Sequence, residues 1–277
     1  MLLSLTVAVC TGSAARGQTV FSNDFESDTA GFTPSGSLAA LSRASLPTDS
    51  GGLASPNQST WLGKLGSNLP KSGSLDESVA LVVTGLTPGK LYSVAFDLFI
   101  GASWDGSASS PYGPDSWRFV VDGVPLVNTT FTNGNQGQEY GAYSPQRYSD
   151  LTYSSLIGTD FSKFTGADAS FTTGGTNYGE HYGIYRFGRG DGNPTLTFVA
   201  IGQTSFLEFA RFGNTTDSGD EYWALDNVRV SVAIPEPASL CLLITGVVSF
   251  VSLRRGGHRI GPRRIALSKR AYGSFGS

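Results

Sequence analysis

Cysteine is almost absent from this sequence, and histidine nearly so. The 277 residues carry two cysteines, Cys10 and Cys241, both in apolar segments near the ends. The region between them has no thiol, so it holds no disulfide framework, cysteine-ligated zinc or cysteine nucleophile. One histidine, His181, lies in the body of the chain, in a glycine-rich stretch that reads as an exposed loop. A single histidine is too few for a usual zinc centre. A Ser-His-acid triad would have to use it, and no Gly-x-Ser-x-Gly elbow marks the serine. Also missing between Thr19 and Val232 is any sustained 3.6-residue apolar repeat, which argues against a helical core.

Basic residues are scarce in the same region. Residues 1–237 hold all 22 acids against 12 of the 19 lysines and arginines, a net charge of −10, and the last 40 residues hold the other seven basics and no acid. Phosphate recognition needs a basic face, so an acidic body excludes nucleic acid as a partner. What the body does have is glycine (36 in the whole chain) and aromatics (12%). Small turn residues with many aromatics suit a loop-rich sheet protein. A domain of about 200 residues buries enough surface to do without disulfides.

The two ends read as addresses. Leu2 to Cys10 is a short apolar run, and Ala15 and Gly17 then fit the small-residue positions of a signal peptidase site that cuts before Gln18. Residues 1–17 are therefore expected to be a signal peptide, with a buried N-terminal strand as the alternative. At the far end, Pro235-Glu236-Pro237 precedes an apolar stretch, Ala238 to Leu253, followed by Arg254 and Arg255. Sixteen helical residues span about 24 Å, which crosses a bilayer when flanking arginines snorkel. The positive-inside rule puts the basic tail, 256–277, in the cytoplasm and the acidic body outside.

That order of motif, span and arginines resembles the PEP-CTERM sorting signal, over residues 234–255. The resemblance implies recognition of Pro235, Glu236, Pro237, Arg254 and Arg255 by an exosortase, removal of the helix 238–253, and delivery to the cell surface or an exopolysaccharide matrix. Members of the family usually end soon after the arginines, whereas this chain runs on to Ser277. An uncut anchor in the inner membrane is the alternative.

Between the addresses the pattern is strand, turn, strand. Tyr92, Val94, Phe96, Leu98 and Ile100 alternate, as a half-buried strand does. Trp117 to Val121, then Asp122-Gly123, then Val124 to Val127 reads as a hairpin on a type I′ turn. Leu196, Phe198 and Ala200 alternate, Phe206, Ala210 and Phe212 more loosely, and the last strand carries Val228, Val230 and Val232. The fold class expected is an all-β antiparallel β-sandwich over residues 18–233. Three loops are long: 102–115, 132–146 and 174–192. Loops of that length in a compact domain tend to be functional.

The layout resembles jelly-roll domains of the galactose-binding and carbohydrate-binding-module type. The residues that carry the likeness are Asn23-Asp24-Phe25-Glu26, Gly85-Leu86-Thr87-Pro88-Gly89, and Trp223-Ala224-Leu225-Asp226-Asn227-Val228. Ser103-Trp104-Asp105-Gly106 and Gly113-Pro114-Asp115 add a likeness to other exported PEP-CTERM proteins. In such domains an acid on the last strand often meets the first strand around a structural calcium, which implies Asp24, Glu26 and Asp226 as ligands here. Asp226 shares parity with Val228 and Val230, which points it toward the core. A turn cap on backbone N–H groups is the other reading of that carboxylate.

Sugar recognition needs aromatic faces with polar neighbours, and Trp104, Asp105 and Tyr112 are the candidates in a loop. Trp117 and Trp223 open strands and read as core. For hydrolysis, Asp220-Glu221 or Glu208 with Asp226 can be nominated, but no Glu-x-Asp-x-x-Glu strand is present. The expected function is a non-catalytic exported protein that binds polysaccharide. A structural or adhesion protein without a sugar ligand is the alternative, and a glycoside hydrolase the third reading.

Overall fold

The computed structural model describes residues 17–36, 40–45, 59–66, 77–108, 113–133, 145–172, 181–189, 193–213 and 221–233. The strands lie in one compact unit, Arg16–Ala233. Residues 1–16 of the expected signal peptide, Tyr112, and the expected sorting segment with all that follows residue 233 lie outside the described residues. Among the described residues no helix is long and apolar enough to cross a membrane.

Among the described residues thirteen strands follow one another: β1 (Thr19–Asn23), β2 (Phe32–Gly36), β3 (Arg43–Ser45), β4 (Thr60–Leu65), β5 (Glu77–Thr84), β6 (Leu91–Ala102), β7 (Asp115–Val121), β8 (Val124–Thr130), β9 (Ala169–Thr172), β10 (His181–Phe187), β11 (Leu196–Val199), β12 (Thr204–Gly213) and β13 (Glu221–Val232). They form two antiparallel sheets. One has eight strands, in the order β3-β4-β13-β6-β10-β9, with β1 on β13 and β11 on β6; the other runs β2-β5-β12-β7-β8. The described residues adopt the expected all-β class, in antiparallel sheets consistent with a β-sandwich.

Alternation explains the packing. Along β6, Tyr92, Val94, Phe96, Leu98 and Ile100 all enter one core, and Val79, Leu81 and Val83 of β5 enter it from the other sheet. Side chains of a strand alternate between faces, so one register decides every inward residue. Phe96 of β6 meets Phe209 of β12 edge-on at 5.2 Å between ring centres. Trp117 of β7 meets Trp223 of β13 at 6.0 Å. Both pairs cross from sheet to sheet, and T-shaped contacts of this kind suit the ring quadrupoles. Trp117 and Trp223 are thus core residues, as read from their places at strand starts.

The β7–β8 hairpin turns on Asp122 (φ 49°) and Gly123 (φ 81°), the two positive values that a type I′ turn requires. Asp122 also accepts the Phe206 N–H through Oδ1 at 2.7 Å, which ties the turn to β12.

Two parities differ from the sequence reading. On β12 it is Leu207, Phe209 and Arg211 that face inward, while Phe206 is exposed opposite Val82. The outward set includes Glu208, whose ion pair with Arg118 spans 3.6 Å at the surface, so water claims that face. On β13, Asp226 pairs with Asp97 and Arg229 with Ala95, leaving an extra residue between them, and Asn227 there has φ 54°. A β-bulge of this kind reverses the alternation. Asp226 therefore lies on the outer face of the eight-stranded sheet, with Asp97, while Val228 and Val230 point into the sandwich.

Candidate functional site

The same alternation drives charge into one end of the sandwich. Asp115 has the inward parity of Trp117 and Phe119, Arg211 that of Phe209, and Glu221 that of Trp223. All three are buried. Arg211 pairs with Glu221 through Nη2 and donates through Nη1 to the Glu221 carbonyl at 3.3 Å. Its Nη2 stands 3.7 Å from Asp115 Oδ1. Since β12 and β13 belong to different sheets, this guanidinium joins the two layers. Its carbon lies 5.0 Å from the Trp104 ring centre, a cation–π distance. Trp104 in turn donates its Nε1–H to the Tyr222 carbonyl at 3.1 Å.

Asp105 completes the frame. Its backbone N–H donates to Asp115 Oδ2, and it bridges across to Thr132. Asp105, Asp115 and Glu221 bring carboxylate oxygens within 4.8 Å of one another, the spacing a metal ion would need. Arg211 supplies positive charge there. Gly106 makes the turn possible: at φ 63°, a Cβ on it would lie 1.8 Å from Thr132 Oγ1 and 2.4 Å from the Pro145 carbonyl oxygen. The described ends of segments 102–115, 132–146 and 213–221 meet at this frame.

Several candidates read from the sequence sit elsewhere than expected. Trp104 is fully buried in the core, so its ring has no open face for a sugar; it supports Arg211 instead. Asp105 is buried beside it and engaged in the frame. His181 is not in a loop but opens β10, half-buried. Of the carboxylates nominated for hydrolysis, Asp220 lies outside the described residues, and the Glu208–Asp226 pair does not form. Glu208 and Asp226 lie on opposite outer faces, with the core between them, and Glu221 points inward onto Arg211. The frame itself was missed because each charge was read singly. Its signal was legible, since each of the three shares parity with the aromatic residues of its strand.

A second cluster occupies the outer face of the eight-stranded sheet. Asp97 and Asp226 lie directly opposite each other on β6 and β13, both buried. Asp97 Oδ2 accepts from Arg189 Nη2 at 2.7 Å and from Asn227 Nδ2 at 3.0 Å. Asp226 Oδ2 accepts from Ser59 Oγ at 2.8 Å, and Oδ1 from the Asn227 N–H at 2.7 Å. Burial pushes the Asp226 carboxyl up to about 7 against the pull of those hydrogen bonds, and the charges of Asp97 and Glu26 add to the rise. Burial also raises Asp97, and Arg189 opposes it. Two acids so placed share too little positive charge.

Of the three expected calcium ligands, Glu26 and Asp226 come within electrostatic reach of each other. Asp24 does not join them: it is exposed and its Oδ1 accepts the Glu26 N–H at 3.3 Å, a turn bond. Glu26 Oε1 accepts the Thr60 N–H at 3.0 Å. The Phe25 and Glu26 carbonyls beside it accept from Arg43 Nη1 at 3.1 and 2.7 Å. A cation deficit at Asp226 fits a metal, whereas the position of Asp24 does not.

No protein-family model matches the chain, and no curated protein matches it. Among solved structures it is similar to TmCBM61 in complex with β-1,4-galactotriose, at 9% identity and a TM-score of 0.36, over 78% of this chain and 99% of that one. It is also similar to the K3 cleaved adhesin domain of Lys-gingipain from Porphyromonas gingivalis, at 14% identity and a TM-score of 0.33, over 77% and 99% of the two chains. The K1 adhesin domain of the same protein matches at 13% identity and a TM-score of 0.34, over 77% and 98%.

Proposed function

We propose that this is an exported, non-catalytic protein of the cell surface or matrix, whose jelly-roll body presents the loops at its Arg211 end to polysaccharide. The observation that carries the reading is the buried frame of Arg211, Asp115, Glu221, Asp105 and Trp104. It ties both sheets together where β6 and β12 end and β7 and β13 begin. A rigid scaffold holding variable polar loops is how many folds build recognition surfaces. The buried acids serve this scaffold, so chemistry is not asked of them. Trp104 and Asp105 act as positioning residues, and Tyr112 is the aromatic contact. Export by signal peptidase and sorting by an exosortase through Pro235-Glu236-Pro237 and the span 238–253 deliver the domain, with the inner membrane as its transient or lasting anchor.

The test is a glycan array and polysaccharide pull-down with the full chain. Tyr112→Ala is expected to weaken retention about tenfold, the value of one lost aromatic contact, with the melting temperature unchanged. A folded wild-type protein that binds no polymer would assign the sandwich to a structural or adhesion role.

A structural calcium belongs to the same proposal, held by Glu26 and Asp226. Bound there, it would supply the positive charge that Asp226 lacks; it need not touch any ligand. With free calcium about 100-fold above its dissociation constant, linkage contributes ~2.7 kcal/mol. Chelation by EDTA should then lower the melting temperature by about 5–10 °C for a domain of this size. An unchanged melting curve would rule the calcium out.

A further inference from the structure

Nine large apolar side chains are exposed among the described residues, and six of them gather at one end of the sandwich. Leu91 pairs with Val199 across the β6–β11 ladder, and Val82 pairs with Phe206 across β5 and β12. Val124 opens β8 beside the Asp122 turn, whose N–H donates to the Phe206 carbonyl at 2.8 Å. Ile201, 81% exposed, lies in the loop between β11 and β12. The loops here are stitched together: Gly89 N–H reaches the Ala200 carbonyl at 2.8 Å and Leu86 N–H reaches that of Gln203 at 3.1 Å. Scattered single apolar residues need no explanation, but a concentration at one tip does.

The chain leaves the sheet at this same tip. Ala233, the last described residue, donates its N–H to the Leu91 carbonyl at 3.0 Å. Only Ile234, Pro235, Glu236 and Pro237 separate it from the apolar stretch that begins at Ala238. Five Cα–Cα steps reach at most about 18 Å, and the headgroup layer on one side of a bilayer is itself roughly 5–7 Å thick. We infer that the apolar tip formed by Leu91, Val199, Ile201, Phe206, Val82 and Val124 rests in the membrane interface while the chain is anchored, so that the Arg211 loops face outward. The inference rests on the anchored reading above. Lys90, exposed between Gly89 and Leu91, suits anionic headgroups at that depth. Release of the helix would free this tip from the surface.

The experiment uses the full chain in vesicles of phosphatidylcholine and phosphatidylglycerol, with Cys10 and Cys241 changed to serine. A fluorophore sensitive to polarity is attached at Ile201→Cys or, for comparison, at Leu151→Cys, which is 90% exposed in a different loop. Spin-labelled lipid is expected to quench the Ile201 site at least threefold more than the Leu151 site. Equal quenching at both sites, in a chain that floats with the vesicles, overturns the tip contact and leaves the anchor standing. A blue-shifted Ile201 label that lipid does not quench overturns it in favour of a second copy or another protein on that tip. A chain that fails to float with the vesicles sinks the anchored reading and this inference together.

Discussion

Arg211→Met is expected to lower stability by about 3–5 kcal/mol, the cost of leaving buried charges without their partner. Methionine keeps most of the length of the side chain and its apolar stem, so little packing is lost. What goes is the positive charge facing Asp115 and Glu221, and the cation on the Trp104 ring. Carboxylates left behind in a low-dielectric layer must protonate or drag water inward, and either route loosens the junction between the sheets. The check is the denaturant midpoint at neutral pH. Adding Glu221→Gln to Arg211→Met removes one stranded charge and should recover at least part of the loss, since groups in one network do not act additively. A single variant within ~1 kcal/mol of wild type would show that the frame does not hold the loop end, and the scaffold argument for loop presentation would go with it.

The second large effect concerns pH. Asp226 titrates near pH 7 in the folded chain against a reference value of 3.8. The folded state thus holds its proton more tightly than the unfolded state does. The stability this contributes is fully present below pH 3.8 and is lost as pH rises to about 7. With a shift of roughly three units, the loss approaches ~4 kcal/mol. Asp97 shifts in the same direction and steepens the decline. In EDTA, Asp226→Asn should flatten this slope and raise stability at pH 8, because the amide carries no charge to desolvate. With calcium present the sign reverses if the ion sits there, and the asparagine variant becomes the less stable protein. Chemical denaturation at pH 5 and pH 8, with and without calcium, separates the two cases. A wild-type protein equally stable at both pH values in EDTA would remove Asp226 as the titrating group.

How far the fold could be read from residues depended on how clean the alternation was. The β6 strand carries five apolar residues in strict alternation, and all five enter the core. Asp122-Gly123 specified its turn because few other pairs accept positive φ at both positions. Phe206 misled the reading of β12, because both faces of that strand carry aromatic residues and only Glu208 with Arg118 marks the outer one. Asp226 misled for a different reason. A single extra residue at Asn227 shifted the parity, and a local bulge leaves no periodic trace. Trp104 looked like a loop residue by its Ser and Gly neighbours, yet Arg211, more than a hundred positions away, caps its ring inside the core.

By itself the sequence determined the chemistry this protein can attempt and the class of its body. In the body between the terminal segments, the lack of thiols, the single histidine and the acidic balance exclude whole families of sites, and period-two alternation marks half-buried strands. These follow from composition and from the geometry of one strand, which need no partner. Tertiary structure decided which charges meet. Asp115, Arg211 and Glu221 converge because three strands from two sheets end at the same level, and Asp97 faces Asp226 because a bulge turned one strand over. The reason is physical: a side chain's face is set locally, while its neighbour across a sheet or a sandwich is set by register and packing, which the order of residues along the chain does not display.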